Sequence, residues 1–277
     1  MATAMDPTMS ATKSERLAFI GTAHHLADLS SAAILPYFRR TMKVDNKAAA
    51  GKFDPVTAAD RAAERAIAKA IKAAWPDHGI VGEEYGTKVG SSPYRWVIDP
   101  IDGTKAFILG FPIWGTLIGL MHGDQPVLGL MNQPFTGERF WSGPSSSAMR
   151  GPDGRERRIK TRACVSLADA MFVTTHPDMF KAGEERRGFE AIRAATRYTR
   201  YGGDCYAYCM LAAGHIDIVV EAGLKPYDIA ALIPIIEKAG GRCTSWDGGS
   251  AANGGRVVAA GDPRVHEAAV RILSKLG

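Results

Sequence analysis

The chain has 277 residues, of which 46% are hydrophobic, and its formal net charge is +5. It can bury a large core, and no window approaches the ~18 consecutive apolar residues of a membrane span. The densest positive groups, residues 155–158 and 184–187, both contain glutamate, so we interpret them as solvated surfaces and expect neither a nucleic-acid partner nor a membrane.

The domain organisation is predicted from composition. Residues 1–13 are small and polar and lack the apolar core of a signal peptide, so we expect a flexible tail. Residues 14–277 contain no repeat or linker and are predicted to form a single domain of two halves, with the approximate boundary in the loop-like segment 143–158. The four cysteines form no Cys-x-x-Cys pair, which favours reduced thiols and a cytoplasmic protein.

Two helices are predicted before the first strand. Apolar residues recur at helical spacing over residues 14–38. Thr57 followed by Asp60 has the pattern of a capping box, which begins a second helix that ends near residue 75. In that role Asp60 stabilises the helix start by ~1 kcal/mol.

Two aspartates lie close together after a short apolar strand. Residues 96–98 are β-forming and apolar, Asp99 follows them, and Asp102 precedes a predicted helix start at Gly103 and Thr104. Carboxylates beside free backbone N–H groups can bind a hard cation and an anion together, which suits a phosphate ester bound through Mg²⁺. The alternative is structural, because aspartates are common in turns and at helix N-caps.

Antiparallel strands and helices alternate along the rest of the chain, which predicts an α+β protein with sheets packed on helices. The other predicted strands are residues 79–82, 114–121, 125–132, 139–142, 171–175, 196–201, 216–220 and 257–260. The other predicted helices are residues 179–195, a helix that opens within residues 201–208 and ends at Gly214, and residues 226–241 and 263–276.

Three separated motifs occur in the order Gly82-Glu-Glu, Trp96-Val-Ile-Asp-Pro-Ile-Asp-Gly-Thr and Lys225-Pro-Tyr-Asp-Ile-Ala-Ala, the last followed by Glu237-Lys-Ala-Gly-Gly. Their order, spacing and content resemble the inositol monophosphatase superfamily of Mg²⁺-dependent, lithium-sensitive phosphatases, over roughly residues 15–275. The resemblance implies a five-layer αβαβα sandwich, a homodimer and a phosphate monoester as substrate.

The resemblance also implies the site. Two or three Mg²⁺ ions would be held by Glu83, Asp99, Asp102, Asp228 and the carbonyl oxygen of Ile101. Thr104 would form a hydrogen bond with Asp60, and together these two residues would polarise the attacking water. The amides of Gly103 and Thr104 would hold the phosphate. From the residues alone, Asp228 is equally explained as a carboxylate in the first turn of a helix, where the helix dipole favours it.

Residues 202–208 and 224–228 look like the histidinol-phosphate phosphatase branch of this superfamily. L-Histidinol phosphate carries an ammonium group and an imidazole, for which Asp204 and Glu221 would supply acceptors and negative charge. Asp204 could instead be a helix N-cap. Both carboxylates could also bind hydroxyl groups, so an inositol-1-phosphatase or broad polyol or sugar monophosphatase is the alternative. A third interpretation, a regulatory or nucleic-acid-binding protein on this fold, is favoured only by the net charge.

Overall fold

A computed structural model describes residues 11–41, 43–46 and 55–276. The helices are α1 (Lys13–Ile34), α2 (Ala58–Ala74), α3 (Thr104–Leu109), α4 (Glu184–Ala195), α5 (Asp204–Ala212), α6 (Pro226–Ile229), α7 (Leu232–Lys238) and α8 (Pro263–Leu273). The strands are β1 (Val44–Asn46), β2 (Pro55–Thr57), β3 (Gly79–Gly82), β4 (Gly86–Lys88), β5 (Tyr94–Asp102), β6 (Gly115–His122), β7 (Gln125–Gln133), β8 (Glu138–Ser142), β9 (Ser147–Arg150), β10 (Glu156–Arg158), β11 (Met171–Thr174), β12 (Tyr198–Tyr201), β13 (Ile218–Leu224), β14 (Arg242–Ser245) and β15 (Gly255–Ala260).

The elements form five alternating layers. Helices α1 and α2 cover one face of an eight-stranded sheet, and α5, α6 and α7 lie against its other face. Helices α5 and α7 also pack on a five-stranded sheet, whose outer face is covered by α4 and α8. The predicted α+β fold and its αβαβα layering are therefore confirmed. No helix in the described ranges is long and apolar enough to cross a membrane.

The two N-terminal helices begin at capping boxes. Thr57 caps α2 and Asp60 accepts a hydrogen bond from the Thr57 amide, as the sequence predicted. Thr12 caps α1 in the same way. The fold therefore includes residues 11–13, which we had assigned to the tail; residues 1–10 of that prediction lie outside the described residues. The first helix also ends at residue 34, earlier than predicted, and continues only as turns.

The eight-stranded sheet has the order β10-β9-β8-β7-β6-β5-β3-β4, with β3 and β5 parallel and the other neighbours antiparallel. Strands β9 and β10 lie within residues 143–158, so the prediction that this segment is a loop was wrong. Its Gly and Pro residues lie in the connections, while residues 147–150 and 156–158 extend the sheet edge. The chain therefore passes to the second sheet after residue 158.

The five-stranded sheet has the order β12-β11-β13-β15-β14. Pairing with β15 carries β13 beyond Glu221 to Leu224, although the sequence predicted that this strand ends at Glu221. The single helix predicted over residues 226–241 is two helices, α6 and α7. Pro234 lies in the first turn of α7 and has no N–H to continue a helix from α6, which explains the break.

Candidate active site

An open cleft with a volume of about 160 Å³ lies where the first sheet meets α5, α6 and β13. All but one of the predicted site residues line it: Glu83, Asp99, Ile101, Asp102, Gly103, Thr104, Asp204, Glu221 and Asp228. The exception is Asp60. Of the other lining residues, Cys205, Tyr208 and Leu224 belong to the motifs 202–208 and 224–228, whereas no motif contained Thr175 or Met179.

A β-bulge presents two aspartates to this cleft. Strand β5 does not end at Asp99, as predicted, but pairs with β6 on both sides of an irregularity, Asp99 with Leu117 and Asp102 with Gly115. Residues three apart on a regular strand point to opposite faces of the sheet. The bulge inserts one residue between the two pairs and brings both carboxylates to the same side.

The carboxylates form a cluster suited to a divalent cation. One oxygen each from Asp99, Asp102 and Asp228 lie within 4.8 Å of one another. Burial raises the pKa of Asp99 well above its usual value, and the neighbouring carboxylates of Glu83, Asp102 and Asp228 raise it further. Hard oxygen ligands that repel one another are the donor set that Mg²⁺ neutralises. The residues therefore fit the metal that the sequence predicted.

The predicted hydrogen bond between Thr104 and Asp60 is absent. The Thr104 hydroxyl donates instead to the carbonyl oxygen of Ile101, at 3.0 Å. Asp60 Oδ2 accepts from Thr57, and Asp60 Oδ1 is buried without a hydrogen-bond partner among the described residues. Burial raises the pKa of Asp60 to about 6, partly offset by its hydrogen bonds to Thr57. Asp60 thus keeps one unsatisfied oxygen for a water molecule or another donor.

The start of α5 joins the second half of the molecule to the carboxylate cluster. The Cys205 amide donates to Asp102 Oδ2, at 2.6 Å. Asp204 is the first residue of α5 and has a φ of +43°, which is unusual for a residue other than glycine. Gly203 occupies the N-cap position, so the alternative interpretation of Asp204 as an N-cap was wrong.

Two further carboxylates lie on the side of the cleft formed by the second half. No described residue donates a hydrogen bond to Asp204, and burial together with the nearby Glu221 raises its pKa to about 7, while Lys105 opposes this shift. Glu221 is 3% exposed, and its two oxygens accept from the Thr175 amide and the Tyr208 hydroxyl, both at 2.9 Å. Glu221 is therefore held in place, whereas Asp204 has acceptor capacity to spare.

Comparisons with known proteins agree with this geometry. The model of the inositol monophosphatase family matches residues 17–277. The bifunctional phosphatase IMPL2 of Arabidopsis thaliana, a chloroplastic protein, is 42% identical over 96% of this chain and 77% of its own length. A histidinol-phosphatase of Streptomyces coelicolor is 36% identical over 91% of this chain and 96% of its own.

Among solved structures, an inositol monophosphatase from Zymomonas mobilis superposes with a TM-score of 0.83 at 40% identity, covering 95% of this chain and all of that one. The family match covers most of the chain, and the carboxylate cluster lies where the motifs predicted it. The chain therefore belongs to the inositol monophosphatase family and is a metal-dependent phosphoric monoester hydrolase.

Proposed function

We propose that this protein hydrolyses L-histidinol phosphate to L-histidinol and phosphate, with Mg²⁺ as its metal. The name of the Streptomyces relative supports this substrate, whereas the Zymomonas neighbour is named for inositol monophosphate hydrolysis. Both lie at similar identity to this chain. The choice between them therefore depends on residues of this cleft.

The metal ligands in this proposal are the carboxylates of Glu83, Asp99, Asp102 and Asp228 and the Ile101 carbonyl oxygen. Four carboxylates carry a charge of −4 when ionised, which two Mg²⁺ ions balance, so a phosphate dianion enters readily only after metal has bound. Bound Mg²⁺ supplies a Lewis acid that lowers the pKa of water and offsets the negative charge of the phosphate.

The chain itself orients the reactants. The amides of Gly103 and Thr104, at the cleft wall, are proposed to hold the phosphate oxygens. The Thr104 hydroxyl is proposed to accept a hydrogen bond from the attacking water and to donate its own hydrogen to the unsatisfied Oδ1 of Asp60, so that Asp60 orients the water through Thr104. In this structure the hydroxyl donates to Ile101, so it has to rotate before it can donate to Asp60.

The observation that carries the substrate assignment is the placement of Asp204. A side chain at position 103 would bring its Cβ within 3.0 Å of Asp204 Cγ, so this carboxyl lies directly beside a proposed phosphate-binding residue. It is half-buried, and no described residue donates a hydrogen bond to it. A carboxylate that is partly removed from water is stabilised most by a charged donor. Histidinol phosphate offers such a donor, because it carries an ammonium group on the carbon next to its phosphate ester carbon.

The test compares kcat/KM for L-histidinol phosphate and inositol-1-phosphate in the presence of Mg²⁺. We expect kcat/KM to be ~10²-fold higher for L-histidinol phosphate, which corresponds to a difference of about 2.7 kcal/mol in activation free energy. The Asp204→Ala variant should lose most of that preference, because it removes an acceptor that only the cationic substrate requires. Asp178→Asn is the control, since Asp178 lies next to the lining residue Met179 but is exposed.

Equal losses on both substrates in Asp204→Ala would count against the ammonium role. Equal efficiency in the wild type would favour the alternative, an inositol-1-phosphate or broad polyol monophosphatase. The homodimer, the sensitivity to lithium, the cytoplasmic location and the number of bound Mg²⁺ ions stay predictions.

A further inference from the structure

A buried glutamate of α2 binds the turn that carries one of the proposed metal ligands. Glu64 is only 2% exposed. Its Oε2 accepts from the Glu84 amide at 2.8 Å, and its Oε1 accepts from the Tyr85 amide at 3.0 Å. No sequence motif contained this residue. The available signal was its position one helical turn after Asp60, which places two acidic residues on the buried face of α2.

The end of β3 is shaped around this carboxylate. A Cβ at Gly82 would lie 1.9 Å from Glu64 Oε1, so the carboxylate occupies the space that a side chain at position 82 would need. On the other side, the Glu83 amide donates to the Ile98 carbonyl oxygen at 3.2 Å. The backbone around Glu83 is therefore fixed at three successive amides. The Glu83 amide donates to β5, and the amides of the next two residues donate to Glu64.

We propose that Glu64 is a positioning residue for the metal site, which sets the direction in which Glu83 presents its carboxylate to Asp99. The inference rests on the proposed metal-binding role of Glu83. Glu64 does not line the cleft, so it acts through the turn and not on the metal or substrate. A carboxylate that accepts two backbone N–H bonds is a strong and geometrically specific anchor.

The first test is Mg²⁺ binding to metal-free protein, measured by calorimetry in wild type and Glu64→Gln. Gln keeps the size of the side chain, but its NH₂ group cannot accept, so one of the two amides loses its partner. We expect the dissociation constant for Mg²⁺ to rise ~10-fold or more, while kcat at saturating Mg²⁺ changes much less. Glu64→Asp, which restores the charge, should recover part of the affinity.

The second test is a double-mutant cycle with Gly82. Gly82→Ala alone should also weaken Mg²⁺ binding, because the new methyl group displaces the Glu64 carboxylate. In a Glu64→Ala background the same substitution should cause little further loss of Mg²⁺ affinity, since the space beside position 82 is then free. Additive losses would contradict the inference.

The control is Asp262→Asn. Asp262 is also buried and accepts from backbone amides, those of Cys164 and Arg264, but it belongs to the start of α8, outside the cleft. We expect it to lower the melting temperature without changing Mg²⁺ affinity. Wild-type Mg²⁺ affinity in Glu64→Gln would overturn the positioning role. If the wild type itself bound no Mg²⁺, the proposed function would fail, and the inference with it.

Discussion

The hydroxyl of Thr116 donates a hydrogen bond to the carbonyl oxygen of Pro100, at 2.8 Å, across the bulge of β5. Thr116 is completely buried, and its oxygen also contacts the hydroxyl of Ser30, at 2.7 Å. Thr116 has a single hydroxyl hydrogen, so Ser30 is the donor in the second contact. This pair ties the bulge between Asp99 and Asp102 to α1.

We expect Thr116→Val to disturb the metal site as well as stability. The substitution leaves the Pro100 carbonyl without this donor in a buried position, which costs about 1–3 kcal/mol in the free energy of unfolding. Because the bulge sets the spacing of the two aspartates, kcat/KM at limiting Mg²⁺ should also fall, by ~10-fold. Urea unfolding and phosphate-release assays measure the two effects.

Ser30→Ala is the control for Thr116→Val. It removes the donor to Thr116 but leaves the bond to Pro100, so stability should fall while the Mg²⁺ dependence of activity stays close to that of the wild type. If Thr116→Val behaved in the same way, the hydrogen bond from Thr116 to Pro100 would not be what positions the bulge.

Asp99→Asn should abolish turnover without unfolding the protein. In the wild type, the Ile101 amide donates a hydrogen bond to Asp99 Oδ1 at 3.0 Å. Asn has nearly the same shape, and its Oδ1 can still accept this hydrogen bond. The substitution removes one buried negative charge from the cluster, so the metal-free protein should melt at the same or a higher temperature. Phosphate release with Mg²⁺ should fall by at least ~100-fold. Activity close to that of the wild type would exclude Asp99 as a ligand.

The metal-free protein should become less stable as pH rises from 3.8, the ordinary pKa of an aspartate, to about 7. Burial is the main cause that raises the pKa values of Asp204 and Asp228, each to about 7, so the folded state binds more protons than the unfolded state. The free energy of unfolding then decreases with pH, by up to about 1.4 kcal/mol per pH unit for each titrating group.

Bound Mg²⁺ replaces these protons as the source of positive charge. The stabilisation by Mg²⁺ should therefore grow with pH, which melting curves in EDTA and in Mg²⁺ would measure at several pH values. If the difference in melting temperature between Mg²⁺ and EDTA did not grow between about pH 4 and 7, the raised pKa values would be contradicted.

Local patterns predicted the parts of the fold that depend on neighbours in the chain. The capping box of Thr57 and Asp60 needs only residues three apart, and the start of α8 after Asp262 needs only the Asp-Pro pair. The motif residues also located the carboxylates of the cleft. Strands β9 and β10 were missed because a strand at a sheet edge is stabilised by pairing with a partner, and their composition is that of a loop.

The sequence by itself determined which residues could bind a metal and a phosphate, because that depends on the chemistry of side chains such as Asp99 and Asp228. Only the tertiary structure decided how they are oriented. The bulge of β5, the bond from Thr104 to Ile101 and the anchoring of the Glu83 turn by Glu64 all join groups whose distance depends on how strands and helices pack. Packing decides which buried hydrogen-bonding groups meet, and no pattern within one segment specifies that choice.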